Sequence, residues 1–136
     1  MMRLWPGQGD YRTLTEWQKT DAFATFLRET VNSLRFPVDR EWLLEILREH
    51  ADKMPESIEE GHSSEYLAEY ILSLDSVRGS LAIIEYAVRF MKNMELISEH
   101  LASAVETQRA ELDDQLATLT VSLRGRLGEQ WGFSNN

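Results

Sequence analysis

The 136-residue chain has no cysteine, carries 23 acidic against 14 basic residues, and has a formal net charge of −9. That length suits one domain with a single core. The missing cysteines exclude disulfides, thiolate metal sites and a cysteine nucleophile, and the acidity opposes loose attraction to phosphate backbones or anionic lipid.

Residues 1–10 hold Pro6, Gly7 and Gly9 and predict a poorly ordered leader. Leu14, Trp17, Ala24, Leu27, Val31 and Leu34 then recur at helical spacing, with Phe23 widening the face. They predict a first helix over 13–35, ended by Pro37, which pushes Phe36 out of helical geometry. Asp39 is the expected N-cap of a second helix over 39–61, striped by Leu43, Leu47, His50, Met54 and Ile58. Pro55 removes one backbone hydrogen bond there and crowds the Ala51 carbonyl. Ile58 keeps the stripe in phase, so a kink is expected rather than an end, with Gly61 as C-terminal cap.

Ser63 or Ser64 should open a third helix over 64–93. Its apolar face is Leu67, Ile71, Leu74, Val77, Leu81, Ile84, Val88 and Met91. At ~1.5 Å per residue it would be on the order of 45 Å long, the axis of an elongated bundle. Asn93 closes it, Met94–Ile97 form a link, and Ser98 caps a fourth helix over 98–127. That helix carries Leu101, Val105, Gln108, Leu112, Leu116, Leu119, Leu123 and Leu127 and is ended by Gly128. Residues 129–136, with Trp131 and Phe133, form a poorly ordered tail. The expected fold is all-α, a single antiparallel up-down-up-down four-helix bundle.

Beyond its core stripe the third helix carries Tyr66, Tyr70, Ile83 and Phe90, more apolar width than a bundle interior uses. Small residues Ser73, Ser76, Ser80 and Ala87 run along one edge with Gly79 beside them. A mid-helix glycine costs roughly 1 kcal/mol against alanine. Compensation is expected from another helix approaching closely, in the same subunit or the next. With Trp131 and Phe133 these residues form the candidate self-association surface.

Acids crowd from Glu49 to Glu69 (Glu49, Asp52, Glu56, Glu59, Glu60, Glu65, Glu69) with Lys53 opposing them. They read as a solvated face or as a rim that docks a basic protein. Glu59-x-x-His62 has the spacing of a di-iron ligand pair, but such centres need two copies plus further glutamates. His50 sits on an apolar stripe and His100 begins a helix. No metal, cofactor or catalytic residue is therefore expected, and the acids lack the apolar shielding of working acid–base pairs. The bases form no stripe: Arg124 and Arg126 are the closest pair, while Arg12, Arg28 and Arg35 point to different sides of helix one. Nucleic-acid binding by the isolated protein is not expected. No run approaches the ~20 apolar residues of a membrane helix, and MMRLWPGQGD lacks a secretory apolar core, so a cytoplasmic protein is expected.

Three blocks together carry a family likeness. They are Tyr11-x-x-Leu14-x-x-Trp17-Gln18-Lys19, then Met54-Pro55-Glu56-Ser57-Ile58-Glu59-Glu60-Gly61, close to a kinked "IPSNIAEG" segment. The third is Glu69-Tyr70 followed by Gly79-Ser80-Leu81-Ala82, with Glu85 and Leu96-Ile97-Ser98-Glu99 after it. Over roughly residues 11–127 the chain resembles the four-helix-bundle proteins encoded in intervening sequences of bacterial 23S rRNA genes. These are also called ribosomal-protein-like, and accessory proteins of diversity-generating retroelements are relatives. The resemblance implies a kinked second helix and a homopentameric ring, and it supplies no catalytic residues. Relatives often have arginines after the Gly61 position, where this chain has His62-Ser63-Ser64. A non-catalytic scaffold or adaptor is the leading expectation. An RNA- or ribonucleoprotein-associated factor, linked to a reverse transcriptase or to rRNA, is the alternative.

Overall fold

The structure is a computed structural model. It describes residues 9–131, and of Gln130 and Trp131 the backbone only. The rest of the expected leader and tail, Phe133 included, lies outside the described residues. Four α-helices follow in order: α1 Thr15–Ser33, α2 Glu41–His62, α3 Leu67–Asn93 and α4 Glu99–Trp131. Single turns of 3-10 helix at Tyr11–Thr13 and Val38–Arg40 lead into α1 and α2. No strand occurs among the described residues.

The helices alternate in direction, as side-chain pairs along their lengths show. Trp17 near the start of α1 meets Glu59 near the end of α2, while Arg28 meets Asp52. Trp42 at the start of α2 packs, with its ring tilted, against Phe90 at the end of α3. Asp75 early in α3 pairs with Arg124 late in α4. Consecutive helices pack closely, and α1 and α4 close the bundle with much sparser contact. The core joins Phe23, Leu27 and Val31 of α1 to Leu43, Leu47, Met54 and Ile58 of α2. From α3 it takes Leu67, Tyr70, Leu74, Leu81, Ile84 and Met91, and from α4 Val105, Leu112, Leu116 and Leu123.

Where the elements begin and end departs from expectation at several points. Asp39 does not cap α2; it lies within the preceding 3-10 turn, and Arg40 occupies the cap position without a side-chain bond. Ser98 does cap α4, its Oγ accepting from the Leu101 N–H at 3.1 Å. Ser64 Oγ accepts from the Tyr66 N–H at 3.1 Å, and α3 itself starts at Leu67. Gly128 does not end α4, which continues to Trp131. Gln108 is exposed, and the neighbouring Arg109 takes the buried position instead.

Helix α2 runs on through Pro55. The proline has no N–H for the Ala51 carbonyl, so that acceptor would be left without its helical donor. Arg28 of α1 supplies one: its Nη2 donates to Ala51 O at 3.3 Å while its Nε donates to Asp52 Oδ1 at 2.9 Å. Gly61 is not a left-handed cap either; it is a buried residue inside α2. A Cβ built there would lie 2.1 Å from Ser73 Oγ and 2.5 Å from Ser73 Cβ. Glycine is required because α3 passes this close. The left-handed position falls instead at Glu95, with φ 60°. The Leu96 N–H reaches back to Met91 O at 2.9 Å and the Glu95 N–H to Lys92 O at 3.0 Å, which is a Schellman ending built without glycine.

Candidate functional site

The expected interface residues on α3 separate into two groups, because an α-helix in a bundle has an inner and an outer face. Tyr70 is buried, and its hydroxyl donates to Glu16 Oε2 at 2.6 Å. Burial and the adjoining Glu16 carboxylate push the phenol well above its ordinary pKa. Ser80 is buried too, its Oγ 2.9 Å from His50 Nδ1. Ser73 lies against Gly61 and donates to the Tyr70 carbonyl at 2.6 Å. Tyr66 is half-buried at the α3 cap. These four belong to the subunit's own packing. The side chains of Trp131 and Phe133 lie outside the described residues.

Ser76, Gly79, Ile83 and Phe90 fall on the outer face. Sequence reasoning missed their companions Leu72 and Tyr86, which are 65 % and 69 % exposed. The six positions, 72, 76, 79, 83, 86 and 90, repeat in steps of four and three. At ~100° per residue they occupy an arc about 80° wide, opposite the core stripe. This 3.5-residue period is the signature of a helix seam, and it was legible once the core stripe had been removed from the pattern. Two further residues extend the patch. Trp42 of α2 lies with its ring 6.2 Å from that of Phe90, and Met94 follows α3 directly.

Nothing among the described residues covers Gly79: a Cβ there would meet none of their atoms within 4 Å. The close approach that glycine suggested is therefore absent among the described residues, where Gly61 makes one instead. One flank of the seam carries charge. Asp75 pairs with Arg124, Arg78 Nε donates to Asp113 Oδ1 at 2.9 Å, and Arg89 donates to Glu85 at 3.1 Å with its guanidinium 5.8 Å from the Tyr86 ring.

The acidic stretch is mostly solvent-facing: Glu49, Glu56 and Glu60 of α2 and Glu65 and Glu69 beyond it are exposed. Two members have structural work. Glu59 accepts the Trp17 indole N–H at 3.0 Å, and Asp52 receives Arg28. The Glu59-x-x-His62 spacing belongs to no metal-binding cluster. No group of three or more His, Asp or Glu side chains that could hold a metal ion occurs among the described residues. His50 is half-buried, and His100 is exposed.

An open groove of about 720 Å³ runs between α3 and α4, lined by Val88, Arg89, Lys92, Ala102, Ser103 and Glu106 among others. Glu85 and Glu106 of its lining are held by arginines. Arg109 donates twice to Glu106, at 2.8 and 2.6 Å, and lies 3.5 Å from Glu85. Those bonds hold the Glu106 carboxyl below its ordinary pKa. Eight arginines among the described residues, Arg109 and Arg124 included, stand in ion pairs with acids of the same chain. No described helix is long and apolar enough to cross a membrane.

Neither a family model nor a curated protein sequence matches this chain.

Proposed function

We propose that this protein is a non-catalytic, homo-oligomeric four-helix scaffold that works through protein contacts in the cytoplasm. The single observation that carries the reading is the uncovered seam on α3. Large apolar side chains at 72, 83, 86 and 90 face solvent around a glycine that none of the described residues approaches. Six large residues of this patch, Trp42 and Met94 included, are between 43 and 69 % exposed. At roughly 200 Å² for a fully exposed large side chain, the patch presents on the order of 600 Å². Typical monomers rarely carry a contiguous apolar patch above ~300–600 Å² without a use for it.

A second copy is the occupant, and a pentameric ring is the assembly that the resemblance to the rRNA intervening-sequence proteins implies. The exposed acids of α2 leave a separate rim for a basic protein partner. A nucleic-acid role is disfavoured by the pairing of Arg124 with Asp75, which offsets the charge of one of the two clustered terminal arginines. Static light scattering of wild type and Gly79→Leu tests the reading. Wild type should run as a defined oligomer at micromolar concentration and the variant as a folded monomer, because a bulky side chain holds the seam open. The added Cβ has free space, and leucine is the better helix former by nearly 1 kcal/mol, so the subunit itself should not unfold. A monodisperse wild-type monomer would remove the hypothesis.

A further inference from the structure

The seam on α3 has an internal order that says how a second copy would sit on it. Read from its N-terminal end it runs Leu72, Ser76, Gly79, Ile83, Tyr86, Phe90: large, small, smallest, then three large. Placed parallel and in register on itself, it would set Gly79 on Gly79 and Tyr86 on Tyr86, leaving a void at one layer and a collision at another.

Reversing one copy removes each conflict. Leu72 then lies opposite the partner's Phe90, Ser76 opposite the partner's Tyr86, and Gly79 opposite the partner's Ile83. Every small residue receives a large one, as dense packing between helices requires. On the flank nearest α4, positions 75, 82 and 89 form a row one heptad apart. In the reversed arrangement Asp75 faces the partner's Arg89, Ala82 faces the partner's Ala82, and Arg89 faces the partner's Asp75. Within the subunit Asp75 already holds Arg124 and Arg89 already holds Glu85, so the partner's charges join existing pairs.

We propose that the outer face of α3 pairs with the same face of a second copy, antiparallel, about a two-fold axis that passes beside Ala82. It rests on the self-association proposed above and specifies its geometry. An isologous contact of this kind uses one patch twice, so each copy contributes the same residues. The ~600 Å² of exposed large side chains per copy approaches the ~800 Å² per partner of a standard stable interface, with Ser76, Gly79, Ala82 and the two charge pairs adding to it. A two-fold contact closes on itself. The particle it makes is a dimer rather than the five-membered ring that the resemblance implies, and an odd copy number in light scattering overturns it.

The chain has no cysteine, so single introduced thiols report one position each. The experiment treats Ala82→Cys, Leu72→Cys and Phe90→Cys proteins with a short bis-maleimide, beside light scattering of the same samples. Ala82 is exposed and lies beside the axis, so Ala82→Cys should cross-link to itself in high yield, and the product should vanish in an Ala82→Cys/Gly79→Leu background. Leu72→Cys and Phe90→Cys lie nine residues to either side of the seam's midpoint, about 27 Å from their own copies along the helix. Each alone should stay unlinked, and an equimolar mixture should give the crossed dimer. An oligomer in light scattering whose Ala82→Cys form does not cross-link, or whose Leu72→Cys form links to itself, overturns the two-fold arrangement and leaves self-association standing. A monomer in light scattering overturns both.

Discussion

Arg28 shows how a local violation is repaired from another helix. Pro55 breaks the rule that helix interiors exclude proline, and the freed Ala51 carbonyl takes its hydrogen from the Arg28 guanidinium of α1. A hydrogen bond of this charge-assisted kind contributes about 1–2 kcal/mol when buried and less at a half-exposed arginine. Replacing Arg28 with methionine should therefore cost about 1 kcal/mol in urea unfolding. The same substitution should cost measurably less in a Pro55→Ala background, where the restored backbone N–H satisfies the carbonyl. Equal costs in both backgrounds would mean that Arg28 acts only through Asp52. The proline is visible in the sequence and so is its orphaned acceptor. The donor is not, because it stands 23 residues from the carbonyl it serves.

The pairing of α2 with α3 gathers several polar and close-packed details into one helix interface. At one end Gly61 admits Ser73; at the middle His50 meets Ser80; at the far end Trp42 packs against Phe90. Adding a methyl at Gly61 pushes Ser73 and the α3 backbone away, so Gly61→Ala should destabilise by about 1–3 kcal/mol despite alanine's better helix propensity. Thermal unfolding reads the loss, and Ser73→Gly in the same chain should recover part of it by removing the opposing Cβ.

The histidine at the middle of this interface gives it a pH dependence. Burial, with the neighbouring Lys53 charge, lowers the His50 pKa from the ordinary histidine value of about 6.5. The unfolded chain therefore takes up this proton before the folded one does. The contribution to stability is complete above about pH 6.5 and is lost as the pH falls through the lowered value. Urea midpoints should drop between pH 7.5 and pH 5.5, and the drop should be smaller in His50→Gln. An unchanged drop in that variant would assign the acid sensitivity elsewhere.

At the scale of the whole molecule, charge decides what the surface can attract. Each copy adds a formal −9 to any assembly, and arginines spread over all four helices stand in ion pairs with the chain's own acids. Nonspecific nucleic-acid affinity comes from cations releasing counterions at phosphates, with a steep dependence on salt. Structured RNA should consequently show no submicromolar mobility shift at physiological salt. A salt-steep complex that an Arg124→Glu/Arg126→Glu double variant abolishes would reverse this and make the ribonucleoprotein reading the better one.

The four-helix bundle, its alternating directions and most of its core were determined by the sequence itself. Apolar residues at steps of three and four fix a helix and its buried side, and short links leave antiparallel neighbours as the economical packing. Even the continuation through Pro55 followed from Ile58 staying in phase. Periodicity says which residues share a face, but it does not say which of two faces is inside. Only the tertiary structure placed Tyr70 and Ser80 within the bundle and left Leu72, Ile83, Tyr86 and Phe90 outside. It also exchanged the roles of two glycines. Gly61 looked like a cap and proved to be a contact, whereas Gly79 looked like a contact and meets none of the described residues of its own subunit. The physical reason is the same in each case: a close approach belongs to two helices at once, and the second one is remote in the chain.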